Sequence, residues 1–207
     1  MNKKNVNSNG FDYVDLDLPS GTLWATCNVG ANKSTDYGLY FQWGDTVGYK
    51  EDQIGKDKQF NWDDYEMNPS GDGETFIKYR NASLVLDILE LDDDAASVNM
   101  GGSWHIPTPA QIQELLDNTI SEWAILDGVN GRLFKSKKDD SKSIFIPAAG
   151  CASSGSLGSS GSSGVVWSST LYTGYVYCGR YLSFVSGNVS LYYSSRYYGF
   201  SVRGVIG

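Results

Sequence analysis

Short alternating and apolar runs dominate the chain, and clear helical patterning is confined to one stretch. From Phe11, the segment Tyr13-Val-Asp-Leu-Asp-Leu18 places apolar side chains at every second position, the pattern of a half-buried strand. Pro19-Ser-Gly21 reads as a turn, Thr22 to Val29 as a second strand, and Gly38 to Gly44 as a short aromatic element. Residues 45–75 are polar, rich in Asp and Gly and without a period, which predicts a long surface excursion. Apolar residues at 84, 86, 88, 89 and 91 partly satisfy both the strand and the helix period. The run Leu91-Asp-Asp-Asp-Ala-Ala-Ser-Val98 predicts a helix, because acidic residues suit the positive end of its dipole. Thr108-Pro-Ala-Gln111 is the clearest helix start: a Thr cap, Pro at the first helical position and Gln three residues on satisfy the orphan amides reciprocally. Ile112, Leu115 and Leu116 then share one apolar face.

Beyond that helix, Arg132 to Lys135 and Ser143 to Pro147 predict strands. The Ser/Gly-rich segment from Ala152 to Gly164 has the composition of a linker, but strand signals on both sides make it an intradomain loop. Val165 to Thr170, Val176 to Phe184, Val189 to Tyr193 and Gly199 to Arg203 read as further short strands joined by Gly turns. Residues 1–10 are expected to be a mobile tail preceding a domain over 11–207. They carry no apolar run after their lysines and so no export signal.

Composition narrows the function classes. With 207 residues, 41% hydrophobic and 19% charged, the chain can form one substantial core, and no run approaches the roughly eighteen apolar residues of a membrane span. Direct membrane insertion is not expected. The net charge of −8 argues against a nucleic-acid surface, which needs clustered Lys and Arg. The charge is also unevenly placed. The last acid is Asp140, and residues 143–207 carry only Arg180, Arg196 and Arg203, so thirteen basic residues face twenty-four acids in the first 142. Cys27, Cys151 and Cys178 have no short metal-ligand spacing and leave one thiol unmatched under any disulfide scheme.

Signals for chemistry are sparse. His105 is the single histidine, no G-x-S-x-G elbow presents a serine, and no phosphate-cradling loop occurs. Asp72, Glu74 and Asp92 to Asp94 do not fit the twelve-residue calcium loop, so neither a metal nor a cofactor is expected. Asn81-Ala-Ser83 and Asn188-Val-Ser190 are glycosylation sequons only in a eukaryotic secretory setting.

What stands out is the C-terminal third, with eight of the fourteen tyrosines between Tyr172 and Tyr198, interleaved with Ser and Gly. Tyr offers a large amphipathic contact area for few rotors, while Ser and Gly let the backbone adapt, which is the composition of a binding face. In Tyr192-Tyr-Ser-Ser-Arg-Tyr-Tyr198 both faces of a strand would be aromatic or polar, unlike a strand with one buried face. The competing reading is a β-rich core with aromatic cross-strand pairs.

Several motifs carry a resemblance: Leu18-Pro-Ser-Gly-Thr-Leu-Trp-Ala-Thr-Cys-Asn-Val-Gly-Ala31, Phe41-Gln-Trp-Gly44, Gly101-Gly-Ser-Trp-His-Ile-Pro-Thr108, Ile146-Pro-Ala-Ala-Gly150, Trp167-Ser-Ser-Thr170 and Gly199-Phe-Ser-Val-Arg203. From about Phe11 to the C-terminus the chain resembles a paralogous surface-domain family abundant in gut Bacteroidetes and Fibrobacter. That family is similar to the formylglycine-generating-enzyme branch of the C-type lectin fold. The resemblance implies a single α+β domain with short, mostly antiparallel strands and about two helices. Some members resemble the variable proteins of diversity-generating retroelements, whose C-terminal segment is rewritten at adenines, mostly in Asn codons.

On that resemblance, residues 165–198 form the variable region and the ligand-binding positions are Tyr172, Tyr175, Tyr177, Tyr181, Ser183, Ser190, Tyr192, Tyr193, Ser194, Ser195, Tyr197 and Tyr198. Asn188 is an unaltered candidate; Val165, Val166, Thr173, Gly174 and Cys178 are weaker ones. The paired cysteines of the enzymatic branch have no equivalent motif here, and the Glu-Pro-Asn and Gln-Pro-Asp sugar-binding motifs of calcium-dependent lectins are absent. The expectation is therefore a non-enzymatic recognition protein of a cell surface or phage tail, binding a protein or glycan on another surface. Two other classes remain open: an undiversified surface or fimbria-associated structural domain, and a catalytic relative dependent on Cys151 or Cys178.

Overall fold

The computed structural model describes residues 5–6, 9–80 and 87–207. Strands β1 (Asn5–Val6), β2 (Asp12–Asp15), β3 (Leu23–Ala25) and β4 (Tyr40–Phe41) precede helices α1 (Ala95–Met100) and α2 (Pro109–Asn118). Then come β5 (Thr119–Leu126), β6 (Val129–Ser136), β7 (Ser143–Pro147), β8 (Cys151–Ser153), β9 (Ser156–Gly158), β10 (Ser163–Leu171), β11 (Cys178–Val185), β12 (Asn188–Ser195), β13 (Phe200–Ser201) and β14 (Val205–Ile206). The fold class is α+β, with pairings antiparallel except for β10 against β13.

Four sheets organise the described residues. One, ordered β1-β2-β3-β14, joins its two ends through Val14 and Val205, which flank the buried Trp24. A five-stranded sheet runs β12-β11-β10-β13-β4, so β12 is an edge strand. The sheets β5-β6-β7 and β8-β9 complete the set. Helix α2 lies against β10, β11 and β12, and Ile112 and Leu115 share a core with Val166, Leu182 and Phe184.

Helix α2 starts where the sequence places it. Gln111 N donates to Thr108 Oγ1 at 3.3 Å, and Thr108 N donates to Gln111 Oε1 at 2.9 Å, a reciprocal cap. The acidic run behaves differently from the expected helix. Leu91–Asp93 form only a 3-10 turn, and α1 begins after Asp94. Asp94 Oδ1 accepts from Ala96 N and Ser97 N, while its Oδ2 accepts from Ile106 N, tying the helix start to the Gly-Gly-Ser-Trp loop.

Residues 45–75 correct the expectation of a surface excursion. Phe60, Tyr65, Met67 and Asn68 are buried along this irregular segment. Its local polar bonds replace ladder pairing: Asp64 Oδ2 accepts from Phe60 N, and Asn68 Nδ2 donates to Thr75 O. The segment 152–164 forms the β8–β9 hairpin and the approach to β10, within the same unit. Strand β5 was not apparent in the sequence pattern.

Of the stretch expected to be mobile, residues 1–4 and 7–8 lie outside the described residues. Asn5 and Val6 pair with Tyr13 and Asp12, and Asn9 Nδ2 donates to Met100 O at 3.0 Å. Positions 84 and 86 and the Asn81 sequon also lie outside the described residues, while Ile88 bridges Thr170 beside β10. No helix among the described residues is long and apolar enough to cross a membrane.

Candidate functional site

Strands β11 and β12 pair without a register break from Cys178↔Ser195 to Val185↔Asn188, closed by the two-residue turn Ser186-Gly187. Because strand side chains alternate, this register sorts the predicted residues into two faces. Tyr181, Ser183, Ser190, Tyr192 and Ser194 share one face; Arg180, Tyr193 and Ser195 share the other with Leu182, Phe184 and Leu191. The second face is covered by α2 near the turn, where Leu182 and Phe184 are buried.

The loop between β10 and β11 adds a ring cluster to the second face. Tyr172 N donates to Cys178 O at 2.9 Å and Cys178 N to Tyr175 O at 2.9 Å, closing the loop on itself. Tyr172 stacks on Tyr193 with centroids 3.8 Å apart, Tyr175 approaches both, and Tyr177 stacks on Tyr175 at 5.4 Å. The Arg180 guanidinium lies 5.1 Å from the Tyr172 ring centroid. Gly174 makes this arrangement fit: a Cβ there would come within 2.5 Å of the Tyr172 ring.

On the first face the rings descend from solvent towards the core. Tyr192 lies opposite Tyr181, which packs on Phe200 at 4.8 Å; Tyr198 also meets Phe200, then Tyr197, which reaches Trp62 at 4.8 Å. Beneath them Trp167 stacks on Phe200 at 4.1 Å and donates its Nε1 to Phe41 O at 2.7 Å. A cleft of about 220 Å³ opens between Tyr181, Ser183, Phe184, Val185, Asn188 and Tyr192. Asn188 Nδ2 donates to the Tyr192 hydroxyl at 3.3 Å at its rim.

None of the predicted positions is sealed in the core. Tyr175, Tyr177, Tyr192 and Tyr193 are 48%, 39%, 47% and 45% exposed, and Tyr172, Tyr181, Ser183, Ser190, Ser194, Ser195, Tyr197 and Tyr198 are half-buried. They do not form a single set: Tyr172, Tyr175, Tyr177 and Tyr193 gather in one ring cluster, and Tyr181, Tyr192, Tyr197 and Tyr198 in the other. Among the weaker candidates, Val165, Val166 and Cys178 are buried, so ligand contact at those side chains is corrected to core packing. Sequence reading missed the central position of Arg180, whose pairing opposite Tyr193 shows only in the register.

Burial pushes Tyr197 up to about 12 and raises Tyr181, while Tyr193 is raised first by its neighbour Tyr172. Neutral phenols and serine hydroxyls can stack and exchange hydrogen bonds without charge. Cys151 and Cys178 are poor nucleophiles: burial raises the Cys151 thiol, and pushes Cys178 to about 11 against the pull of Arg196. No group of three or more His, Cys, Asp or Glu side chains among the described residues is placed to hold a metal ion.

Arg196 is the exception inside the tyrosine run. It is fully buried between Trp43 and Phe76, at 5.1 and 4.2 Å from their ring centroids. Its Nη1 donates to Lys78 O at 3.3 Å and its Nη2 to Tyr79 O. The guanidinium therefore anchors the backbone at Lys78 and Tyr79 to the core.

These features define an α+β protein with an aromatic, hydroxyl-rich edge hairpin on a buried support. No family model matches the chain, and neither a curated protein nor a solved structure is found similar to it.

Proposed function

We propose that this protein is a recognition domain with a C-type lectin-like fold, breaking no bond, whose C-terminal Tyr/Ser surface binds a protein or glycan ligand. The observation that carries this reading is the division within residues 165–198. The predicted contact positions stay at least partly open to solvent, while Trp167, Leu182 and Arg196 among them, and Phe200 just beyond, are buried and support them. Such a division lets contact residues change while the support persists, as retroelement-driven diversification of a cell-surface or phage-tail protein requires. An undiversified structural domain of the same family is the second reading, favoured by the half-buried Tyr197 and Tyr198, whose rings pack on Trp62 and Phe200.

The test is an array of glycans and surface proteins probed with the full chain and with a variant combining Tyr175→Ala, Tyr177→Ala, Tyr192→Ala and Tyr193→Ala. Recognition requires target capture that the variant loses at nearly unchanged melting temperature. Equal capture by both proteins, or none, contradicts the reading. A near-copy of the 3′ coding sequence differing only at adenines, beside a reverse transcriptase gene, separates the diversified from the undiversified domain.

A further inference from the structure

Arg180 is the one arginine of residues 143–207 that is not buried, since Arg196 and Arg203 are both 0% exposed. Arg203 donates to Asn28 Oδ1, Ala25 O and Phe145 O, and Arg196 to Lys78 O and Tyr79 O, so both are committed to the interior. Arg180 instead rests against the Tyr172 ring, and among the described residues its guanidinium makes neither an ion pair nor a hydrogen bond. Asp87 reaches the base of the same loop through its carbonyl, which accepts from Leu171 N, and its carboxylate makes no ion pair with Arg180. The last acid in sequence before this region is Asp140.

A guanidinium laid on an aromatic ring has lost part of its rotamer freedom and still offers a planar edge of paired donors. That edge matches a carboxylate in bidentate geometry. The charge is single, on a protein of net charge −8, so it suits one monoanionic carboxylate better than a phosphate dianion or a polysulfated chain. Around it stand phenol rings and hydroxyls, with Tyr172, Tyr175 and Tyr193 in mutual contact and Tyr177 stacked on Tyr175. Ring faces stack on the C–H face of a pyranose, and hydroxyls exchange hydrogen bonds with its own.

We infer that this cluster binds a uronic-acid-type glycan, with Arg180 receiving the sugar carboxylate and the tyrosine rings stacking on the sugar. The inference rests on the recognition reading above and narrows its ligand class.

The experiment titrates the full chain by calorimetry with oligogalacturonate, its methyl-esterified form, neutral dextran oligomers of equal length and polyglutamate. Oligogalacturonate is expected to bind, with at least a tenfold loss on esterification and in Arg180→Gln. Arg180→Lys recovers part of the affinity, because it restores charge without the planar fork. Both variants keep the wild-type melting temperature within about 2 °C, because the half-buried Arg180 guanidinium makes no hydrogen bond or ion pair whose loss would leave a buried partner. The inference is overturned by absent oligogalacturonate binding, by equal binding in Arg180→Gln, by equal binding of the esterified or neutral oligomers, or by tighter binding of polyglutamate. Failure here, with array targets still lost in the four-tyrosine variant, rejects the acidic-sugar assignment alone. Targets that the four-tyrosine variant retains reject the recognition reading as well.

Discussion

Arg196 separates support from contact surface within the space of one residue, and its removal is the sharpest structural perturbation available. In Arg196→Ala, two backbone carbonyls lose their donors, Tyr79 O within the interior and Lys78 O at its margin. Leaving a buried acceptor unpaired costs roughly 1–3 kcal/mol. The contacts with Trp43 and Phe76 add roughly 1–2 kcal/mol when desolvated. Two lost methylenes, Cγ and Cδ, add about 1.6 kcal/mol. Against this, truncation relieves the burial of an uncompensated charge whose Nε has no hydrogen-bond partner. We expect a net loss of about 3 kcal/mol, a fall in melting temperature of roughly 6–12 °C for a domain of this size. Arg196→Met, which refills the space but leaves the carbonyls unpaired, should lose about half as much. Thermal melts followed by near-ultraviolet circular dichroism check both, with Arg180→Ala as the surface control. A melting temperature for Arg196→Ala within 2 °C of wild type would refute the argument that this guanidinium holds the support together.

Two further expectations follow from buried carboxylates. Burial pushes Asp45 from its ordinary value up to about 7, against the pull of Lys58 at 3.6 Å. The folded state thus keeps a proton that the unfolded chain has released by about pH 5, so this contribution is complete below pH 4 and is lost as pH rises towards 7. Urea unfolding should show the stability of wild type relative to Asp45→Asn falling between pH 5 and 8 by at least about 1 kcal/mol, and a difference that grows with pH would have the wrong sign. For Asp94, Ala removes acceptors for three backbone amides at a cost of about 2–3 kcal/mol, whereas Asn keeps an acceptor oxygen and should cost under about 1 kcal/mol; equal urea midpoints for the two variants would contradict the capping role.

How much of this was legible in sequence depended on whether the determining interaction was local. The α2 start was readable because the Thr108–Gln111 cap lies within four residues. The bounds of β7 matched for the same reason, an apolar run ended by Pro147. Residues 45–75 were misread because their burial comes from single aromatics, Phe60 and Tyr65, held by turns with no period. Alternation along Tyr192–Tyr198 already implied two aromatic faces, but not that Tyr193 would join Tyr172 across the β10–β11 loop. Arg196 and Arg180 are the same letter in similar surroundings. Only the register and the long-range carbonyl partners distinguish the buried anchor Arg196 from the half-buried Arg180.

The most direct measurement is a displayed library that randomises Tyr172, Tyr175, Tyr177, Tyr181, Ser183, Ser190, Tyr192, Tyr193, Ser194, Ser195, Tyr197 and Tyr198 together, scored for protease resistance beside a control library at Trp167, Leu182, Arg196 and Phe200. The account predicts that most members of the first library remain folded, and that separate members capture different targets, while the control library is largely degraded. Equal degradation of both libraries would show these side chains to be structural and would contradict the account.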